Sequence, residues 1–328
     1  MKNLAIKTGL ASAILLASTS AFAAEPSHLE MPHNKGAFMV ELKYMHMNME
    51  GLQSGTDSVS KSEAFAGTEM TVPTKMSMDM FMIMPMYNIT KETSVMLMAN
   101  YLSNKMDMEM KPMMGNPSHE MDMDTSGLGD TSVSVSHKFM DDMFAASFAV
   151  SIPTGSIDEE VHMHMPSMEM TMAAPYAMQL GSGTIDVTPT LTYLGAYFDL
   201  KYGAQVSYKF RTGENDNGYT LGDAANAMAW VRKPVMGVTL DAELSVSMWG
   251  AIDGSDPAIM TTVMGNKAPA TSFPGNYGGT MATINVGASM PVSMVNIGAD
   301  INFPVYQDLN GLQMTRKMGF GASVTAHF

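Results

Sequence analysis

Phe38-Met39-Val40-Glu41-Leu42-Lys43-Tyr44-Met45-His46-Met47-Asn48-Met49-Glu50 changes character at every step. Phe38, Val40, Leu42 and Tyr44 fall on one side; Met39, Glu41, Lys43, Met45, Met47 and Met49 fall on the other. A period of two belongs to a strand whose faces meet different surroundings. Lipid accepts the aromatic and aliphatic side but not Glu41 and Lys43, so the methionine side should face the lumen of a membrane barrel.

The same alternation recurs along the chain. Val95, Leu97, Ala99 and Tyr101 share a face, as do Phe144, Ala146, Phe148, Val150 and Ile152. Ile185 to Tyr193, Leu200 to Phe210, Val238 to Val246, Val295 to Phe303 and Phe320 to Phe328 repeat it, with mostly Ser, Thr, Gly, Asn, Asp, Lys or Gln between. Short links near Asn88–Glu92, Asp141–Met143, Gly195–Tyr197, Lys233–Gly237 and Pro291–Met294 alternate with long polar ones. The long ones lie near Gly51–Val72, Lys111–Gly127, Pro153–Gly183, Thr212–Asp223, Gly250–Gly279 and Pro304–Gln313. Short periplasmic turns and long external loops are the rhythm of an outer-membrane barrel. The expected fold is all-β: a transmembrane antiparallel up-and-down β-barrel of about 12 strands, both termini periplasmic. A secreted β-sandwich also alternates but lacks this rhythm of loops.

The ends agree with export. Lys2 and Lys7 precede an apolar run from Leu10 to Ala17, and Ala21-Phe22-Ala23 has the small-x-small form of a cleavage site. Residues 1–23 are therefore expected to be a signal peptide, 24–35 a periplasmic N-terminal segment, and 36–328 the barrel. The signal takes two of the 18 basic residues and none of the 32 acidic ones, leaving a mature charge of −16. That charge opposes nucleic acid as a partner. With no cysteine, neither disulfides nor thiolate metal sites exist. Beyond the signal no run nears the ~18 apolar residues of a membrane helix, so only a closed barrel spans.

The 40 methionines are clustered. Met76, Met78, Met80, Met82, Met84 and Met86 share one face, with Phe81, Ile83 and Tyr87 opposite. Lys75 and Asp79 are on the Phe81 side, which requires the outer half of that strand to rise beyond the hydrocarbon band. Met96 and Met98, then Met106, Met108 and Met110, continue the pattern on the next strand. Thioether sulfur is a soft ligand that favours Cu(I), and equally Ag(I), over Zn, Mg or Ca. Alternate strand residues stand about 6.6 Å apart, so two flexible side chains could meet one ion. No proton must leave a thioether first.

Imidazole joins thioether in several places. His46 lies between Met45 and Met47, with Met49 next on their face; His162, Met163, His164 and Met165 lie in a long loop, followed by Met168, Met170 and Met172. Met113, Met114, His119, Met121 and Met123 form another group, and His28, Met31 and His33 a third. The expected function is an outer-membrane channel whose methionine-rich lumen contacts or passes Cu(I) or Ag(I), with no cofactor required. The alternative is a passive channel for small hydrophobic or aromatic solutes, with methionine as flexible apolar lining. Its partners are outer-membrane lipid and either a small solute or a soft metal ion.

Asp158, Asp186, Glu214, Asp216, Asp253, Asp256 and Asp308 sit near Gly or Pro at strand ends. They suit tight turns, and alternatively a ring of carboxylates at a pore mouth. Glu41, Lys43, Lys201, Gln205, Lys209, Arg211, Asp241, Glu243, Asp300 and Asn302 are expected to face the lumen. An enzyme is not expected: His137 near Ser134 and Ser136, and His327 near Ser323, have no distinctive spacing.

Six segments resemble a known family. They are Tyr44–Gly51, Ser151–Asp158, Pro175–Thr184, Thr212–Tyr219, Trp249–Gly254 and Phe303–Gly311. Together they resemble the outer-membrane proteins grouped under the MetA-pathway of phenol degradation, commonly labelled transporters. The resemblance runs over most of the mature chain and implies a β-barrel with a transport role. It carries over no substrate and no site residues. Ala177 and Ala251 depart from the usual residues, and the first half is richer in methionine.

Overall fold

The computed structural model describes residues 29, 35–66, 71–111, 119–165, 168–259 and 270–328. The expected signal peptide and most of the 24–35 segment lie outside these residues, as do Met113 and Met114. Among the described residues the chain is all-β, with one short helix, α1 (Lys61–Ala66), and a few 3-10 turns.

Eleven strands close into an antiparallel ring. In chain order they are β1 (Phe38–Gly55), β3 (Thr71–Asn88), β4 (Thr93–Met110), β6 (Thr131–Phe139), β7 (Phe144–Ile152) and β10 (Ile185–Tyr197). β11 (Leu200–Thr212), β13 (Ala224–Val235), β14 (Val238–Trp249), β16 (Gly279–Val292) and β17 (Val295–His327) complete them. Neighbours in the ring are neighbours in sequence, and β1 closes it on β17 with Met39 opposite His327 and Met47 opposite Gly319. β2 (Asp57–Val59) and β5 (His119–Leu128) pair with β1 and β4 from outside the ring path. The remaining strands lie in loops: β8 (Glu160–Met165) with β9 (Met168–Ala173), and β12 (Tyr219–Thr220) with β15 (Asp253–Gly254).

The ring has eleven strands where the sequence suggested twelve. Pro304–Gln313, expected as a loop, is strand, so β17 runs unbroken for 33 residues. Its first half pairs with β16 up to Leu309, and its second pairs with β1 from Leu309 onward. Gly311, at φ +65°, allows the chain to turn between the halves. Side chains of one half then press on glycines of the other, Asn302 on Gly319 and Asp300 on Gly321.

Lys111–Gly127 was also expected to be a loop, yet most of it is β5. It pairs with the outer half of β4, from Tyr101 opposite Leu128 to Met110 opposite His119. The inner half of β4 pairs with β6, so β5 prolongs the line of β6 across a break at Gly129–Asp130. Both misreadings have one cause. Their turn-forming or charged residues hide the alternation: β5 turns Glu120, Asp122 and Asp124 outward, and Pro304–Gln313 contains Pro304, Asp308, Asn310 and Gly311.

The exposed side chains mark the boundary of the bilayer. Leu42, Phe81, Ile83, Tyr87, Leu97 and Tyr101 are exposed on the outside of β1, β3 and β4. Beyond them the same face carries Glu50, Lys75, Lys105, Asp107, Glu120, Asp122 and Asp124. Outward aromatics pair across strands at both levels, Phe38 with Phe328 at 6.0 Å and Tyr44 with Phe81 at 4.9 Å. Such girdles suit a barrel spanning a membrane. Tight turns close the termini end, with positive φ at Met140, Asp141, Asp142, Phe198, Met236 and Ser293.

Candidate functional site: a methionine wall facing a tyrosine plug

β1, β3, β4 and β5 turn their methionines inward, as the alternation predicts. Met76, Met78, Met80, Met82, Met84 and Met86 are all buried, and so are Met39, Met47, Met49, Met96, Met98, Met106, Met108, Met121 and Met123. Met45 and Met110 are partly buried against the same cluster. The strand register sorts them into rows. Met39 faces Met86, which faces Met96; Met47 faces Met78; Met108 faces Met121. Met49, Met76, Met106 and Met123 form a row across all four strands. Glu41 shares this inner face and is buried opposite Met84.

The histidines do not join the rows. His46 is on the outer face, where its Nδ1 lies 2.7 Å from Asp79 Oδ1, and Tyr44 donates to the same oxygen at 2.6 Å. Adjacent strand residues point to opposite faces, so His46 cannot share a site with Met45 and Met47. This outer pairing also explains how Asp79 sits on the Phe81 side. His162 is exposed on β8 and bonded to Thr171 Oγ1 at 2.9 Å. The side chains of Met163, His164 and Met165 lie outside the described residues.

Three external loops fold into the mouth and meet the methionines. Tyr176, Tyr219 and Tyr277, one from each loop, stack edge to face with ring centroids 4.9 and 5.5 Å apart. Together with Met178, Leu180, Leu221 and Ile252 they belong to the same buried cluster as the wall. Tyr277 donates to Thr271 O at 2.6 Å and accepts from the Ala177 amide at 3.2 Å; Tyr176 accepts from the Asp256 amide at 2.7 Å. Burial in this apolar cluster pushes all three phenols above their ordinary range.

The plug is tied to itself and to the wall. Asn215 donates to Ser182 O and Asn217 to Ile157 O and the Asp158 carboxylate, joining two loops. Thr125 on β5 donates to Met178 O at 2.7 Å. Gln313 on β17 donates to Gly278 O at 2.9 Å. The main fastening is Asp130, buried at the break between β5 and β6. Its carboxylate accepts from the Gly155 amide at 3.1 Å, the Ser182 amide at 2.9 Å and Ser182 Oγ at 2.7 Å. Gly181 permits this convergence, since a Cβ there would sit 2.3 Å from Gly155 O and 2.7 Å from Asp130 Oδ1.

The far side of the lumen is polar and small. Ser132, Ser134, Ser136, Ser147, Ser151, Thr188, Thr190 and Thr192 are buried on β6, β7 and β10. Ser136 bonds Ser147 at 2.7 Å and Thr192 bonds Gln205 at 2.9 Å. Arg211 and Asp186 form a buried ion pair. Glu41, Lys43, Lys138, Lys201, Lys209, Arg232, Asp241, Glu243 and Asp300 each interact with other groups as well. The loop-side carboxylates act in turns and pairs: Asp256 accepts from the Ala258 amide, and Asp253 from that of Gly254.

Sequence reasoning did not single out the three tyrosines or Asp130. A signal existed for the tyrosines: each stands in a glycine-punctuated segment outside the strands of the wall, where an aromatic has no lipid-facing position to occupy.

No sequence family model matches the chain, and no curated protein matches it in sequence. Its fold is similar to solved structures. An outer membrane channel from Pseudomonas putida matches at 12% identity and TM-score 0.58, covering 90% of this chain and 96% of that one. A deletion mutant of the TodX monoaromatic hydrocarbon channel matches at 8% identity and TM-score 0.50, covering 93% and 95%. The translocator domain of the autotransporter NalP from Neisseria meningitidis matches at 8% identity and TM-score 0.50, covering 94% of this chain and 94% of that one. The closed barrel belongs to the outer membrane, as its neighbours do.

Proposed function

We propose that this barrel is a passive outer-membrane channel for small apolar or aromatic solutes. The observation that carries the reading is the continuous buried cluster from the methionine wall to Tyr176, Tyr219 and Tyr277. Methionine is flexible and polarisable and makes favourable contacts with aromatic rings, so it can yield to a flat guest and close behind it. Pockets for small ligands are mostly apolar with a few placed polar groups, and the Ser and Thr face of β6, β7 and β10 supplies those. Two of the similar folds being channels supports this by analogy of fold.

The plug makes the channel a gated one. Asp130, Asn215 and Gln313 hold the loops by hydrogen bonds, which loosen without unmaking the barrel ladder. The test is uptake of a radiolabelled monoaromatic, toluene, by Gram-negative cells expressing the protein. Expression should raise initial uptake several-fold over cells with an empty vector. Met80→Asp should abolish the gain, because Met80 lies between Met45 and Leu102 and a carboxylate there has no partner. Equal uptake with and without a correctly folded barrel would sink the proposal.

A further inference from the structure

One row of the methionine wall differs from the others. Met49 on β1, Met76 on β3, Met106 on β4 and Met123 on β5 stand directly opposite one another in turn. Their side chains are 5, 1, 1 and 4% exposed. Elsewhere the rows are shorter or interrupted: Met39, Met86 and Met96 make a row of three, while Met84 faces Glu41, Met82 faces Lys43 and Asn100, and Met78 faces Asn104. Among the described residues this row alone places four thioethers side by side.

Directly opposed residues on one sheet face have Cβ atoms about 4.5–5.5 Å apart. The inner face of a closed wall is concave, so inward side-chain tips come closer together than their Cβ atoms. Each methionine has three rotatable bonds with which to aim its sulfur. Two or three sulfurs can therefore reach a common point with no movement of the backbone.

We propose that Met49, Met76, Met106 and Met123 form a binding site for a soft monovalent ion, Cu(I) or Ag(I). Thioethers select such ions over hard divalent ones. No competing site is built nearby, since the described residues contain no metal-ready group of three His, Asp or Glu. The ligands are neutral and bind without losing a proton. A single charge is also the least costly to bring into an apolar cluster, because desolvation rises with the square of charge.

The row is near the external solution. At its level the outer face carries Glu50, Lys75, Asp107 and Asp122, which place it above the bilayer. The surplus of carboxylate there raises the local concentration of cations. The inference stands whether or not the channel passes aromatic solutes.

The test is retention of Ag(I) by purified, detergent-folded protein in chloride-free buffer, counted by native mass spectrometry. Wild type should retain an ion that is lost from the variant Met49→Leu, Met76→Leu, Met106→Leu, Met123→Leu. A control with Met80, Met82, Met84 and Met98 replaced by Leu should keep it. Leucine preserves bulk and apolarity, and heat-modifiable migration on gels reports the fold. Should the fourfold variant fail to fold, Met76→Leu with Met106→Leu is expected to weaken retention at least tenfold. Wild type without retained Ag(I), or equal retention in the folded row variant, overturns the proposal.

Discussion

Replacing Asp130 with alanine should open the plug and leave the barrel standing. The carboxylate accepts three hydrogen bonds, two from the amides of Gly155 and Ser182 and one from Ser182 Oγ. Hydrogen bonds to a charged group contribute about 1.5–3 kcal/mol each. Ser182 Oγ has a second acceptor in Thr184 O at 3.1 Å, so its bond is replaceable. The two amides have no such substitute. At the lower end of the range their loss costs the loop 153–184 about 3–4 kcal/mol. At 1.4 kcal/mol for each factor of ten, the open population rises roughly 100- to 1000-fold.

Hydrogen exchange read by mass spectrometry on peptides from 153–184 measures that change directly. Strand peptides from β7 and β10 should keep wild-type protection, because their ladders do not involve the Asp130 side chain. Single-channel conductance in planar bilayers should rise or flicker in the same variant. Asp130→Asn keeps one acceptor oxygen and should fall between the two. If loop exchange in the alanine variant matches wild type, Asp130 is not the fastening and the gating argument fails.

Arg211→Met removes the guanidinium of a buried pair whose carboxylate, Asp186, also accepts from Thr184 Oγ1. Breaking such a pair costs about 3–5 kcal/mol, seen as a lower urea midpoint for unfolding from lipid vesicles. Adding Asp186→Leu should recover most of it, and an unchanged midpoint in the single variant would count against a bracing role. The plug should also weaken in alkali. Tyr277 is held protonated by burial, with its folded pKa above the unfolded one, so its contribution is full below about pH 10 and is lost as pH rises toward the folded value. Ultraviolet titration should show one late phenolate fewer in Tyr277→Phe, and the variant's loop should gain less exchange on going to alkali than wild type does. Equal alkaline exchange in both would show that this phenol does not hold the loops.

Much of the wall was legible because lipid enforces a simple rule. Where β1, β10 and β14 cross the bilayer, every second residue must be apolar, and the alternation shows it. Above the bilayer the rule lapses: His119–Leu128 turns Glu120, Asp122 and Asp124 outward and reads as a loop, while Pro304–Gln313 reads as one through Pro304, Asp308, Asn310 and Gly311, though both are strand. The methionine face was legible too, since Glu41 and Lys43 exclude lipid from that side. The company of His46 was misjudged because neighbours in sequence lie on opposite sides of a pleat: the alternation that turns Met45 and Met47 inward turns His46 outward, opposite Asp79. Tyr176, Tyr219 and Tyr277 meet only through loop folding over about 100 residues of chain, and no local pattern encodes that meeting.

Why this wall uses methionine where leucine would fill the space follows from what it faces. A leucine wall packs well in one arrangement, since its rotamers are few and well defined. In the proposed gated channel the tyrosine plug is held when closed, and the surface behind it has to stay continuous when the loops shift. Methionine meets both demands, because its unbranched thioether adjusts to irregular gaps without backbone movement. The opposite side of the lumen has the contrary design, with short Ser and Thr side chains fixed by cross-strand hydrogen bonds such as Ser136 to Ser147. A compliant wall set against a rigid one gives a guest room on one side only. In the channel proposed above, rearrangement on opening would therefore fall to the methionine sector, whose unbranched side chains can change neighbours without backbone movement.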